Sequence, residues 1–316
     1  MSVDSPARTD VVDDAPPARR RRRPGPRARL LEALGPERRA ALRAPLVVAG
    51  GIIFAVFVIV GVLAPLLAPY DPKAISGNSF AHPSWSHLLG TNGAGQDLFS
   101  QLIWGTRFSL TVAVVSATAA TLVGVVIGMG GALIGGWADS AANGLVNVSL
   151  AQPPLIAAVL ILALAGPSIT VLIIVITLAG WAPVARIVRA EALSLRERGF
   201  VHAARGFGGG PFYLLRRHLA PAVGPLIVAG WVDWAAVAVL LESGLAFLGL
   251  GDPTRVSWGT MLDGAFRLNV ITLDKVWVWW VLPAGLAITV VVVGFTLLGV
   301  GLEPVFNPRT DRGRDA

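Results

Sequence analysis

Side chains that carry metal or acid–base chemistry are scarce in this chain of 316 residues. There are four histidines, nineteen Asp and Glu, and no cysteine. Without cysteine there is no disulfide, no thiolate metal site and no cysteine nucleophile. His82 and His87 stand five residues apart, a spacing that two metal ligands could use. With no acid or cysteine close by in the sequence, they read as ordinary loop histidines. The two lysines, Lys73 and Lys275, do not follow glycine, so no Walker A loop can bring an amine to nucleotide phosphates. Asp233 and Glu242 interrupt an apolar run, where a charge is costly and faces a bundle interior or water. They are candidates for a translocation pathway. For Asp233 the competing reading is a hydrogen bond to a neighbouring helix. Nine residues separate the two acids, about half a turn out of phase, so a straight helix cannot place both on one face. No catalytic, metal or cofactor site is expected, and the lack of a His–carboxylate cluster in apolar segments argues against an intramembrane enzyme.

The elements that must hold these residues are mostly apolar. The composition is 54% hydrophobic and 14% charged, with a mean hydropathy of +0.67. Soluble domains carry about 25% charged residues. Runs near twenty apolar residues therefore predict an all-α, polytopic membrane protein with six spans. The spans fall at about 46–67, 108–133, 144–164, 169–187, 222–247 and 276–298. The first is too long for a cleaved signal and reads as a retained span. The second is rich in small residues and holds the GxxxG pair Gly124 and Gly128, which suits close helix packing. Residues 135–143 read as a short loop. The third span contains Pro153 and Pro154, which predict a kink. Trp277, Trp279 and Trp280 mark the interfacial start of the sixth.

Basic residues are segregated. Eleven arginines lie in residues 1–45 and seven in 186–218. With both termini inside, twenty-one of the twenty-six Lys and Arg lie in inside segments and four in outside ones. This asymmetry predicts cytosolic termini. Residues 1–45 form a disordered basic tail, 46–305 the membrane domain, and 306–316 a second tail. The run Arg19–Arg23 reads as a topology signal rather than a nucleic-acid site.

Between the fourth and fifth spans lies a polar insert, about 186–221. Helix formers cover 184–207, and Gly208-Gly209-Gly210-Pro211 breaks them. Pro211 opens a short helix over 212–219, and Pro221 ends it. Ala203 and Ala204 give a low-relief surface that a partner groove could accept. An amphipathic helix on the bilayer surface is the alternative.

The sequence VHAARGFGGGPFYLLRRHLAP resembles the EAA loop of ABC importer permeases. His202-Ala203-Ala204 takes the E-A-A positions, Gly208 the glycine, His218 the isoleucine and Ala220-Pro221 the Leu-Pro, with spacing kept. His202, His218 and Ala220 depart from the usual residues. LLGTNGAGQDLFSQLIWGTRFSL (88–110) resembles the peptide-permease block LGTDxxGRDvlSRlixGaRxSL, with Asn92 and Gln96 for Asp and Arg. ESGLAFLGLGDPTRVSWGTML (242–262) and the terminal segment 279–309 resemble further blocks of the same branch, in the same order. The similarity covers about 46–309 and is to the second permease of the dipeptide/oligopeptide/nickel type.

The resemblance implies a type I importer permease that moves di- or oligopeptides and has no ATPase of its own. It implies a second permease, cytosolic ATP-binding subunits and an extracytoplasmic solute-binding protein as partners, with no nucleic acid. The ATP-binding subunits would dock on the coupling loop, with Val201, His202, Ala203, Ala204, Gly208, Gly209, Pro211, His218 and Pro221 as its residues. The outer loops 69–107 and 248–275 would receive the binding protein. Nickel, glutathione and haem are alternative substrates within the family. A stand-alone secondary transporter or channel is the alternative of another class.

Overall fold

The computed structural model describes residues 45–208, 210–269 and 275–306. Most of the basic tail, the C-terminal tail and Gly209 lie outside the described residues. Among those described, regular structure is helical apart from two isolated bridges, Ile75 with Gln96 and Thr91 with Asp97. The helices are α1 (Pro45–Val62), α2 (Ala64–Leu67), α3 (Leu98–Ile134), α4 (Gly136–Leu150), α5 (Pro154–Ala165), α6 (Ile169–Arg196), α7 (Gly199–Gly206), α8 (Pro211–Leu214), α9 (Ala220–Leu245), α10 (Trp258–Arg267) and α11 (Val276–Phe306). Among the described residues five apolar helices are long enough to cross a membrane, or six spans if the bent pair α4–α5 is one.

Three boundaries differ from the sequence reading. The second span begins ten residues earlier than expected, at Leu98. Asp97 accepts a hydrogen bond from the Ser100 backbone N–H and so caps the helix before its apolar run starts. Residues 135–143 are not a loop. Gly135 takes a positive φ of 74° and turns the chain straight into α4. The expected third span is not one kinked helix but two helices, α4 and α5, that meet at 83°. The cause is the proline pair. Pro153 is extended, with ψ 116°, and Pro154 opens a new helix at its first turn.

Pro221 does not end a helix. The chain runs from α8 through a widened turn, Leu215–Leu219, into α9, where Pro221 occupies the first turn. The Ala220 N–H reaches five residues back to the Leu215 carbonyl. A wide turn of this kind accommodates a residue that has no N–H to donate.

Packing follows the small residues. A Cβ on Gly124 would stand 2.7 Å from the Trp181 carbonyl, and one on Gly128 would stand 2.4 Å from that of Ala185. Neither fits, so α3 and α6 approach backbone to backbone. Gly180 of α6 receives the Trp234 ring of α9, which a Cβ would meet at 2.0 Å. Gly50 and Gly294 do the same between α1 and α11, beside the Phe54–Phe295 ring pair. The buried centre joins Leu110, Ala117, Ile176, Trp234, Trp258 and Phe295.

The bundle has two unlike ends. One carries residues 68–97 and 251–257 and is called the loop end below. The other carries residues 197–214 and is called the insert end.

Candidate functional site: the insert end and the loop end

The insert end is a helix, a glycine turn and a second helix. Glu197 ends α6, and α7 follows after two residues. Val201 is fully buried and packs with Ala132, Ala192, Leu214 and Leu219. Ala204 is partly buried against the same cluster. The two limbs of the insert are thus pinned to each other and to the ends of α3 and α6 by apolar contacts. Arg196 donates to the Ala132 carbonyl at 2.5 Å, closing the end of α3. Arg189 and Asp139 form a two-point ion pair at 2.7 and 2.8 Å between α6 and α4. Such a fork holds orientation as well as distance.

The turn itself faces away from the chain. Gly208 has φ +88°, a conformation that L side chains rarely adopt. A Cβ on Gly206, Gly208 or Gly210 would meet nothing within 4 Å. Phe207 is 93% exposed, and Tyr213 is about half exposed with its ring edge-on to His218. Phe207 and Tyr213 did not stand out in the sequence, because aromatic residues in an apolar chain give no signal until their exposure is known. His202, Ala203 and Pro211 lie in the backbone of α7 and at the start of α8. Pro221 opens α9 beyond them.

The loop end is fastened differently. His87 and Asp97, ten residues apart in sequence, meet at 2.9 Å and are both buried. The second Asp97 oxygen accepts from the Ser100 backbone and hydroxyl, each at 2.7 Å. Tyr70 stacks on the His87 ring at 5.0 Å. His82 turns instead to Trp279, with ring centroids 4.9 Å apart. The acid that the sequence did not show beside His87 is therefore its neighbour in space. Among the described residues no group of three metal-ligating side chains gathers. Asn92 and Gln96, the two departures from the family block, bond to each other at 2.8 Å. Gln101 then donates to Gln96 at 2.9 Å.

The second loop closes on the first. Lys73 donates to the Pro253 carbonyl at 3.2 Å. Asp252 accepts from the Ile169 N–H at the start of α6 and from the backbone and hydroxyl of Thr254. Burial pushes the Asp252 carboxyl up. The Thr254 hydrogen bonds, the Ile169 N–H and the Arg255 charge together outweigh that and hold it below the usual carboxylate value. Ser257 and Thr260 form a capping box that starts α10.

The two acids of α9 part company. Glu242 is fully buried and accepts from the Ser109 hydroxyl of α3 at 2.8 Å and from Ser243 at 3.3 Å. Its other oxygen has no hydrogen-bond partner within the described chain. Asp233 lies on an exposed face beside α11, where a Cβ on Gly299 would stand 2.7 Å from its Oδ1. The structure does not bring them together, as their spacing required.

A bundle of long apolar helices with an anchored helix–turn–helix at one end narrows the field, and comparison with known proteins decides it. The inner membrane component of binding-protein-dependent transport systems matches residues 120–312. The N-terminal transmembrane domain of oligopeptide transport permease C matches residues 38–83. The chain belongs to this permease family. A protein named as a peptide permease in Brucella suis is 38% identical over 249 residues, covering 78% of this chain and 82% of that one. The dipeptide transport system permease DppC of Alkalihalophilus pseudofirmus is 31% identical, covering 84% and 86%. The glutathione transport system permease GsiD of Pectobacterium atrosepticum is 29% identical, covering 86% and 89%. This permease is therefore a multi-pass membrane protein of an ABC-type peptide permease family, and the family is one of transport proteins rather than enzymes. The expected DppC/OppC-like membership and helical membrane fold stand.

Proposed function

We propose that this permease is the second of two permease subunits in an ATP-driven importer of di- or oligopeptides, with separate ATP-binding subunits and an extracytoplasmic binding protein. The insert end and both termini are cytosolic, and the loop end faces outward in the plasma membrane. The observation that carries the reading is the insert: a turn fixed from behind by Val201, Leu214 and Leu219, whose described glycines, Gly206, Gly208 and Gly210, have open space in front of them. A surface held rigid yet left bare suits a partner that pushes on it.

Residues 201–208, with Gly209, Pro211 and His218, form the ATPase-coupling element. Val201 anchors it, Phe207 and Tyr213 reach into the ATP-binding subunit, and His202-Ala203-Ala204 line the docking helix. Motion at the turn passes directly into α6 and, through the wide turn before Pro221, into α9. Rocking of rigid bundles about a fixed path then alternates access.

Asp233 is the pathway acid. Glu242, enclosed between α3 and α9, fastens the bundle. The break at residues 151–153 lies beside a cavity of about 500 Å³ that includes Gln152, Thr177 and Trp181. Non-helical backbone at membrane depth is tolerated only against protein or water. This face is therefore assigned to the second permease subunit and the path between the two.

The test is purification with the neighbouring transport genes co-expressed, followed by peptide uptake in vesicles with and without ATP. Co-purification of an ATPase and ATP-dependent uptake are expected. Uptake that survives nucleotide depletion would replace this reading with a secondary transporter. The glutathione-named relative favours one second reading, glutathione as cargo, and the same assay with labelled glutathione decides it.

A further inference from the structure

At the loop end a cavity of about 520 Å³ opens between the two loops, the second to fourth turns of α3 and the start of α6. Its walls include Trp104, Phe108 and Ile169, and its polar groups include Lys73, Arg107 and Arg255 with one acid, Asp71. A cavity of this size with apolar walls and a few convergent polar groups has the form of a small-molecule site.

The charges set its chemistry. This end of the chain is poor in cations, yet three of its five, drawn from positions 73, 107 and 255, line one cavity. Of the others, Arg267 is already paired with Asp263 at 2.7 Å. Among the described residues Arg107 and Arg255 form no ion pair, Arg255 acts on Asp252 through space without touching it, and the Arg107 guanidinium lies over the Trp104 ring at 5.6 Å. Stacking on an aromatic face leaves the guanidinium edge free to present its fork. Lys73 gives one hydrogen bond to the Pro253 carbonyl, which holds its ammonium at the wall with donors to spare. Asp71 accepts from the Lys73 backbone N–H at 2.8 Å and does not offset all three cations.

We propose that this cavity is an entry subsite for a carboxylate, which Arg107 and Arg255 grip while Trp104 and Phe108 pack against the adjoining apolar group. Resting on the importer reading, the ligand is the C-terminal carboxylate of a short peptide. A guanidinium fork matches a carboxylate in two parallel hydrogen bonds, and an amide offers only one acceptor oxygen.

The experiment uses the assembled transporter and one pair of probes, a labelled dipeptide with a free carboxylate and its C-terminal amide. Equilibrium binding is measured without the binding protein, on wild type, Arg107→Gln and Arg255→Gln. Wild type should prefer the acid by about tenfold or more, and each variant should lose most of that preference. Arg107→Lys, which keeps the charge but not the fork, should restore part of it. Equal binding of acid and amide by wild type overturns the proposal. So does equal weakening of both probes in the variants. Uptake with the binding protein present is then compared as the ratio of variant to wild type, so that the binding protein's own selectivity cancels. Lowered uptake of both probes that excess binding protein restores would make the cavity a docking surface instead. Acid-selective binding with no peptide uptake would retain the subsite and remove the peptide importer reading.

Discussion

The two ends of this permease are built from different forces. The loop end is a polar lattice in which His87, Asp97, Ser100, Asn92, Gln96 and Gln101 bond to one another, and Asp252 ties the second loop to α6. The insert end rests on an apolar patch around Val201, one ion pair and one arginine cap, and the described glycines of its outermost turn, Gly206, Gly208 and Gly210, face open space. Buried hydrogen bonds are directional and costly to leave unmade, so they fix one loop arrangement without help. Apolar contacts behind a bare turn fix its base alone. One end completes itself, and the other leaves an open surface, which the proposed coupling role would use.

The largest effect should come from breaking the lattice. Asp97→Ala removes the His87 partner and the α3 cap from a buried site, and we expect a loss of roughly 3 kcal/mol. Thermal unfolding of the purified protein in detergent reads it. A melting temperature within about a degree of wild type would remove the contrast between the ends.

Next comes the turn. Gly208→Val forces a branched residue to positive φ at a cost of about 1–2 kcal/mol. No neighbour is displaced, so the protein should accumulate, with a melting temperature lowered by less than in Asp97→Ala. ATP-driven uptake should fall by about tenfold or more as the turn's shape changes. Full uptake at normal abundance would take the coupling role away from this turn.

A smaller effect is expected for Arg189→Gln, which unpairs Asp139 at a partly exposed site and should cost about 1 kcal/mol. If that loss exceeds the one at Asp97, the insert end is held electrostatically and the comparison reverses. The smallest effect concerns acid. The Asp252 carboxyl is depressed in the fold, so its stabilisation is present above the unfolded value of about 3.9 and fades as pH falls through the lower folded value. Asp252→Asn should therefore flatten the melting temperature against pH between about 5 and 3. An unchanged profile would mean that its hydrogen bonds do not depend on charge.

Much of this was legible in the sequence. Apolar runs near twenty residues located the spans, because the bilayer sets their length. The glycines of 208–210 announced a turn, and Gly124 and Gly128 announced a close helix contact. Other features were hidden because they depend on partners far away in the chain. Asp97 could not be read as the start of α3 without Ser100 in register. It could not be read as the partner of His87 without the loop that folds one onto the other. The proline pair foretold a disturbance but not the 83° angle between α4 and α5.

The sequence by itself determined that this chain lives in a membrane, how many times it turns polar, and where its helical insert lies. Composition and periodicity are local properties, and the bilayer reads them locally. Only the tertiary structure decided which acid is enclosed and which exposed, which aromatics stand bare at the turn, and that Lys73, Arg107 and Arg255 share one cavity. Those facts rest on contacts between residues up to 182 positions apart, and packing alone brings such residues together.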